Sequence, residues 1–166
     1  MNKIARLSLI VSFFLVVGAC SSRRSPASES QSSATFGDDL SITGYSVQNK
    51  EGHTEVDLRW KAERKVAADY IVFVHAVDAS GGIVFQFDHF LKNAAGSPTS
   101  LWAAGDTASD RFLVTPPADR SPGPYTLRLG LYAVPMKLIP VTQASLPKPT
   151  DWWKEHAVLL TNIDCR

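Results

Sequence analysis

The chain has 166 residues, which is the length of a single domain. Hydrophobic residues make up 45% of it and charged residues 20%, as in an ordinary globular protein that can bury a core. The formal net charge is +1. A balance this close to zero gives no basic patch for nucleic acid and no polybasic segment for an anionic membrane surface. We therefore expect no nucleic-acid partner.

The N-terminus has the pattern of an export signal. Lys3 and Arg6 precede an apolar run from Leu7 to Val17, which is too short to span a bilayer because a span needs roughly 20 residues. The run ends in Val17-Gly18-Ala19-Cys20, which resembles the lipobox of bacterial lipoproteins. The resemblance implies that residues 1–19 are a signal peptide and that Cys20 carries the lipid, which would make the membrane a partner through this anchor.

The residue after Cys20 bears on the location of the anchor. It is Ser21 and not the Asp that resembles an inner-membrane retention signal. In a Gram-negative host the resemblance therefore points to the periplasmic leaflet of the outer membrane, and in a Gram-positive host to the outer face of the plasma membrane. Lipidation of Cys20 would leave Cys165 without an internal partner, either as an idle thiol or as half of an intermolecular disulfide.

Residues 20–37 are predicted to form the lipidated start and a flexible tether. The segment from Ser21 to Thr35 is rich in serine and carries little apolar bulk, so it cannot bury enough surface to offset the entropy of ordering. We expect the folded domain to occupy residues 38–166.

Period-two hydrophobicity dominates this domain, and turn residues separate its apolar runs. Val56, Leu58 and Trp60 alternate with charged residues, as in a half-buried strand. Tyr70–Val77 is apolar on both faces, as in a central strand, and Asp78–Gly82 predicts the hairpin turn after it. The remaining predicted strands are Leu40–Val47, Ile83–Phe87, Thr107–Thr115, Tyr125–Tyr132, Leu138–Val141 and Ala157–Ile163. About seven or eight short strands predict an all-β, antiparallel sandwich of the immunoglobulin or fibronectin type.

Six sequence blocks between Tyr70 and Val141 together resemble an accessory β-sandwich domain. They are Phe73–Asp78, Gly82–Asp88, Pro98–Trp102, Gly105-Asp106, Asp110–Phe112 and Pro122–Tyr132. Such domains, which have no established activity, are attached to membrane glycosyltransferases of the dolichyl-phosphate-mannose mannosyltransferase type. The catalytic membrane part of those enzymes is missing from this chain. The resemblance thus implies a sandwich fold and an envelope or glycan setting, and it implies no transferase activity.

Four polar residues within or beside these blocks are candidates for a metal-dependent hydrolase site: His75, Asp78, Asp88 and Asp110. Their spacing matches no metal-binding motif, and a metal site needs three or four convergent ligands. A structural interpretation is that Asp78 caps the hairpin turn and that His75 bonds across a strand pair. No nucleophile motif and no phosphate loop is found, so we predict no catalytic residue, no metal and no cofactor.

Tryptophans outside the strands are the candidate binding residues. Trp60 is expected in the core, whereas Trp102, Trp152 and Trp153 lie in segments predicted as loops. An indole on a loop can stack on a sugar ring or anchor a protein partner. Trp102 can alternatively fold back onto the sandwich, and one of the adjacent pair Trp152 and Trp153 can pack inward, because neighbouring residues in extended chain point in opposite directions.

These features favour a non-enzymatic lipoprotein of the cell envelope that acts as a binding or structural module. An envelope protein or a polysaccharide would be its partner. The first alternative is a carbohydrate-binding module that uses Trp102, Trp152 and Trp153. The second is the metal-dependent hydrolase, which requires at least three of its four candidate side chains to converge on one ion.

Overall fold

The computed structural model describes residues 28–30, 33–119 and 123–164. These residues form eleven strands and two short 3₁₀ helices, Thr99–Leu101 and Trp152–Glu155, but no α-helix. The strands, in chain order, are β1 Ser28–Ser30, β2 Ala34–Phe36, β3 Leu40–Lys50, β4 His53–Ala62, β5 Tyr70–Val77, β6 Ile83–Phe90, β7 Thr107–Val114, β8 Pro124–Ala133, β9 Lys137–Leu138, β10 Val141–Ala144 and β11 Ala157–Asp164. No helix in this described part of the chain is long and apolar enough to cross a membrane.

The strands form two antiparallel sheets. The first sheet has the order β10-β2-β3-β4-β7, with β1 also paired to β3. The second has the order β11-β8-β5-β6, with β9 paired to β8. Strands β3, β4 and β7 thus take the places of A, B and E in an immunoglobulin-like sandwich, while β5, β8 and β11 take those of C, F and G. The predicted all-β sandwich is confirmed.

Alternation along the strands places the core between the sheets. In β4 the side chains of Val56, Leu58 and Trp60 are fully buried and the charged residues between them are not, as the sequence predicts. Trp60 packs on Phe36, with the ring centroids 5.7 Å apart. The alternating apolar residues of β5 and β8 complete the core from the second sheet.

Strand β5 is buried on both of its faces. Val72 and Val74 point into the core, so Phe73 and His75 lie on the outer face of the second sheet, and all four are buried. Phe73 faces Gly130 on β8. A side chain at Gly130 would collide with the Phe73 ring and with the carbonyl oxygen of His156, so only glycine permits this close packing.

The first sheet begins earlier than the predicted domain boundary at residue 38. Strand β2 pairs with β3 and β10, and the side chains of Ala34 and Phe36 are buried in the core. Strand β1, also in the predicted tether, pairs with β3. The tether prediction is therefore wrong at Ala34–Phe36, because backbone pairing and a single large apolar side chain suffice to add a strand in a serine-rich context. The predicted signal peptide, Cys20 and Cys165 lie outside the described residues.

Phe36 provides a test of this early strand. We expect Phe36→Ala to lower the free energy of unfolding by about 3–5 kcal/mol, because the substitution leaves a cavity beside Trp60. Urea unfolding of the full-length chain measures the effect, and Phe90→Ala, which shortens an exposed phenylalanine, is the matched control. Equal, small effects of the two substitutions would show that β2 is not part of the core.

Candidate functional site

A short turn between β10 and β11 covers part of the outer face of the second sheet. This tryptophan turn, residues 151–156, contains the 3₁₀ helix Trp152–Glu155. Asp151 caps it, since its Oδ1 accepts a hydrogen bond of 3.0 Å from the backbone N–H of Trp153. The His156 N–H donates to the Trp153 carbonyl at 2.8 Å and closes the turn. These local bonds fix the two indoles relative to the sheet.

Trp153 packs on the outer face of the sheet. Its ring lies 5.2 Å from that of Phe73 and 5.1 Å from that of His75, and the second contact is edge-to-face. The guanidinium carbon of Arg128 lies 5.5 Å from the Trp153 ring centroid, within cation–π range. Trp153 therefore shields an aromatic ring, an imidazole and a guanidinium from solvent.

Trp152 lies on top of Trp153. The ring centroids are 4.0 Å apart at an interplanar angle of 30°, and 64% of Trp152 is exposed. One side of the Trp152 ring is thus in contact with protein while much of the residue faces solvent. An indole held in this way presents a flat apolar surface whose side-chain entropy is already partly lost.

Arg128 is the charged residue at the base of the site, and only 3% of it is exposed. Its Nη2 donates to Asp151 Oδ2 at 3.0 Å, and the Asp151 side chain is 42% exposed. Asp151 therefore uses one oxygen to cap the turn and the other to neutralise Arg128. The Nε of Arg128 has no hydrogen-bond partner among the described residues.

His75 is the cross-strand neighbour of Arg128 and is 6% exposed. Its Nδ1 also has no hydrogen-bond partner in the described part of the chain. Burial lowers the pKa of His75 below its ordinary value, the nearby Asp88 carboxylate opposes that shift, and Arg128 adds to it. The imidazole is therefore neutral near pH 7.

Polar residues on β6 and β8 extend this face beyond the tryptophan turn. Gln86 and Asp88 of β6 pair with His75 and Phe73 and are exposed. The Tyr132 hydroxyl donates to Asp88 Oδ2 at 3.2 Å. We call this surface the tryptophan face; its members are Phe73, His75, Gln86, Asp88, Arg128, Tyr132, Trp152 and Trp153. An apolar ring surface beside hydrogen-bonding groups is suited to binding and orienting a ligand.

The prediction that Trp102 belongs to the same binding set is wrong. Trp102 is 1% exposed, and its Nε1 donates to the Ser97 carbonyl at 3.2 Å. It packs into the core after the 3₁₀ helix Thr99–Leu101, as the alternative interpretation of the sequence allowed. Of the three candidate tryptophans, the structure brings together only Trp152 and Trp153.

The four residues of the hydrolase hypothesis do not converge. Asp78 Oδ1 accepts from the backbone N–H groups of Ser80 and Gly82 at 2.8 and 3.0 Å, so Asp78 caps the hairpin turn. Asp110 accepts from His89 Nε2 at 3.0 Å, in a contact between the edge strands of the two sheets. Within the described ranges, no three His, Cys, Asp or Glu side chains are grouped closely enough to hold a metal ion.

Arg128, which belongs to the tryptophan face, and its ion-pair partner Asp151 were not predicted as site residues from the sequence. Arg128 lies in the run Tyr125–Tyr132, where it reads as an ordinary outward-facing residue of a half-buried strand. Asp151 directly precedes Trp152 and Trp153, and an aspartate in this place is a capping signal. No local pattern connects it to an arginine 23 residues away.

The sequence matches no protein-family model and no curated protein. Among solved structures, it is similar to one described as the crystal structure of the C-terminal domain of Wzt. The two chains are 12% identical and superimpose with a TM-score of 0.49, over 79% of this chain and 77% of the other. We therefore infer function from the geometry of the tryptophan face alone.

The Asp151–Arg128 pair can be tested by substitution. We expect Asp151→Ala to lower the free energy of unfolding by about 1–3 kcal/mol, because it removes a cap and leaves a buried guanidinium without its partner. Loosening of the turn should also shift the tryptophan fluorescence to longer wavelength. Asp57→Ala is the control and should cost less, because it breaks a pair with the exposed Arg111, whose Nε and Nη2 both donate to Asp57 Oδ2. A larger loss in the control would contradict the role given to Asp151.

The lowered pKa of His75 predicts a pH dependence of stability. In the unfolded chain the imidazole titrates near its ordinary value of 6.5, whereas in the folded chain it binds a proton only at lower pH. The unfolded state therefore takes up more protons below about pH 6.5, and folding stability falls as the pH is lowered through this range.

Urea unfolding at several pH values between 7.5 and 5 measures this dependence. His75→Gln should flatten the dependence. An unchanged slope in His75→Gln would show that His75 is not the group responsible.

Proposed function

We propose that this chain is a non-enzymatic, lipid-anchored binding protein of the cell envelope and that its ligand is a glycan that stacks on Trp152. The observation that carries the proposal is the exposed Trp152 ring held on Trp153 above the sheet. The apolar C–H side of a pyranose ring matches such an indole in shape. Stacking there buries apolar surface of both partners.

The polar groups on the outer face of the second sheet support a hydroxyl-rich ligand. Gln86 offers an amide donor and acceptor, Asp88 offers a carboxylate, and Tyr132 offers a hydroxyl, all on the same outer face. Sugar hydroxyls both donate and accept hydrogen bonds, so they can pair with each of these groups. A purely apolar partner that covered Gln86 would take water from its amide without replacing the hydrogen bonds, which costs free energy.

The lipid anchor is compatible with an accessible tryptophan face. Cys20, which the lipobox resemblance assigns as the lipidated residue, precedes Ser28 by eight residues, and these span at most about 29 Å when extended. Ser28 pairs with Val47 in the first sheet, whereas the tryptophan face is the outer face of the second. The described chain thus enters the domain at the first sheet and not at the tryptophan face, which supports an anchor that leaves this face accessible. In a Gram-negative host this would hold the domain at the periplasmic leaflet of the outer membrane.

A glycan array and an envelope pull-down with the full-length chain in detergent test this function. Wild type should capture a glycan, and Trp152→Ala should weaken that binding at least about tenfold, as expected for a central aromatic contact. Leu113→Ala, which shortens an exposed apolar residue of the first sheet, is the matched control and should bind as the wild type does. Both variants should keep the wild-type unfolding midpoint.

Two outcomes would contradict the proposal. Equal glycan binding by wild type and Trp152→Ala would place the ligand elsewhere on the domain. Capture of one envelope protein with no glycan bound would identify the chain as a module that binds or organises proteins.

A further inference from the structure

The guanidinium of Arg128 is almost fully buried, yet one of its nitrogens has no hydrogen-bond partner among the described residues. Asp151 Oδ2 accepts from Nη2, while Nε has no partner in the described part of the chain. In an arginine side chain Nε–H and Nη2–H point the same way and together match the two oxygens of one carboxylate. Asp151 cannot complete this fork, because its other oxygen, Oδ1, caps the tryptophan turn.

The imidazole of the neighbouring His75 also has a buried nitrogen without a hydrogen-bond partner in the described part of the chain. His75 is the cross-strand partner of Arg128, and its Nδ1 is buried without a partner among the described residues. A neutral imidazole can carry its proton on Nδ1 and donate it. Buried polar atoms without partners are rare in folded proteins, and one common explanation is a missing ion or ligand group.

From this arrangement, and resting on the glycan-binding function proposed above, we propose that Arg128 and His75 form a subsite for the carboxylate of an acidic sugar. Without ligand, Asp151 occupies this subsite, so the ligand carboxylate competes with Asp151 for Arg128. A ligand carboxylate is not tied to the turn, so it can accept from both Nε and Nη2 of Arg128. The ligand is thus a glycan that contains a uronic acid or a similar carboxylated sugar.

The charges around the subsite favour exchange of one carboxylate for another. Asp88 acts electrostatically on His75 from β6, so added negative charge would be repelled. Asp151 stays in the turn through its Oδ1 cap when it releases Nη2, so a ligand that brings only a single negative charge is favoured. A phosphate would bring more negative charge and would therefore be repelled more strongly.

Access to the subsite runs through Asp151. Its side chain is 42% exposed although its partner Arg128 is buried, so solvent reaches the pair from the Asp151 side. Arg128 and Trp152 both contact Trp153. Trp153 thus links the two parts of the site, so a glycan chain that places a carboxylate on Arg128 brings a neighbouring sugar within reach of Trp152.

The experiment is an NMR titration of the full-length chain in detergent with three probes. Methyl β-glucuronide carries both the sugar ring and the carboxylate, methyl β-glucoside carries the ring alone, and acetate carries the carboxylate alone. The resonances followed are the Nε–H of Arg128 and the indole N–H groups of Trp152 and Trp153. We expect the glucuronide to shift both sets, the glucoside to shift only the indoles, and acetate to shift only Arg128.

Substitutions sharpen the test. Asp151→Asn keeps an oxygen for capping but removes the competing charge, so it should raise the ratio of glucuronide to glucoside affinity about tenfold. Asp57→Asn makes the same change beside the exposed Arg111 of the first sheet and should have no effect. Arg128→Lys should abolish the preference for the acid, because lysine lacks the planar fork.

The outcomes separate the two proposals. Indole shifts with both sugars, but no shift of Arg128, would overturn the carboxylate subsite and leave glycan binding intact. A response of Arg128 to acetate, with no sugar effect on Trp152, would overturn the acidic-sugar assignment and the glycan function together, and would favour a carboxylate such as a peptide C-terminus. No shift with any probe at 50 mM would overturn both.

Discussion

Every residue of strand β5 is buried, although only one face of its sheet is turned towards the core. A strand that is apolar on both faces needs a cover on the outside, since exposure of Phe73, Val77 and their neighbours to water would cost free energy. In this sandwich the cover at Phe73 is the tryptophan turn. The position of Trp153, and through it that of Trp152, follows from the need to bury this outer face.

The tryptophan turn also buries two polar side chains that would be hydrated on an uncovered sheet. Arg128 and His75 lose their hydrogen bonds to water when Trp153 packs over them. Asp151 replaces only one of these bonds, that of Arg128 Nη2. The turn is held by its capping bond, by one charge-assisted hydrogen bond and by ring contacts, and its helical residues are not paired into either sheet. The sheet holds the exposed indole in a fixed position. Because few bonds hold the turn, a ligand can compete with Asp151 for the polar groups beneath it.

Much of the fold was predictable from the sequence because burial on this scaffold follows simple periods. The alternation around Leu58 gives β4, and the uninterrupted apolar run Tyr70–Val77 gives β5 with both ends correct. The turn chemistry of Asp78 was also predictable, since an aspartate before two glycines has a local hydrogen-bonding role. Strand β2 was missed because it forms by pairing with the backbone of β3 and β10. Its own three residues do not indicate that pairing.

The candidate site was predictable only in part. The Trp152-Trp153 pair stands out in the sequence, and the expectation that one ring packs inward agrees with the half-buried Trp153, although the segment is a 3₁₀ turn and not extended chain. Trp102 has the same loop context in the sequence but is in the core. Arg128 and Asp151 meet through tertiary packing of β8 against the turn, and sequence spacing does not encode that contact.

The four tryptophans allow a direct measurement of the central claim that Trp152 and Trp153 form the ligand surface. Labelling with 5-fluorotryptophan gives each indole its own ¹⁹F resonance, with Trp60 and Trp102 as internal reports from the core. On addition of a purified bacterial envelope polysaccharide fraction, our interpretation predicts shifts of the Trp152 and Trp153 signals while the Trp60 and Trp102 signals stay in place. Unchanged Trp152 and Trp153 signals, or shifts only in the two core signals, would contradict it.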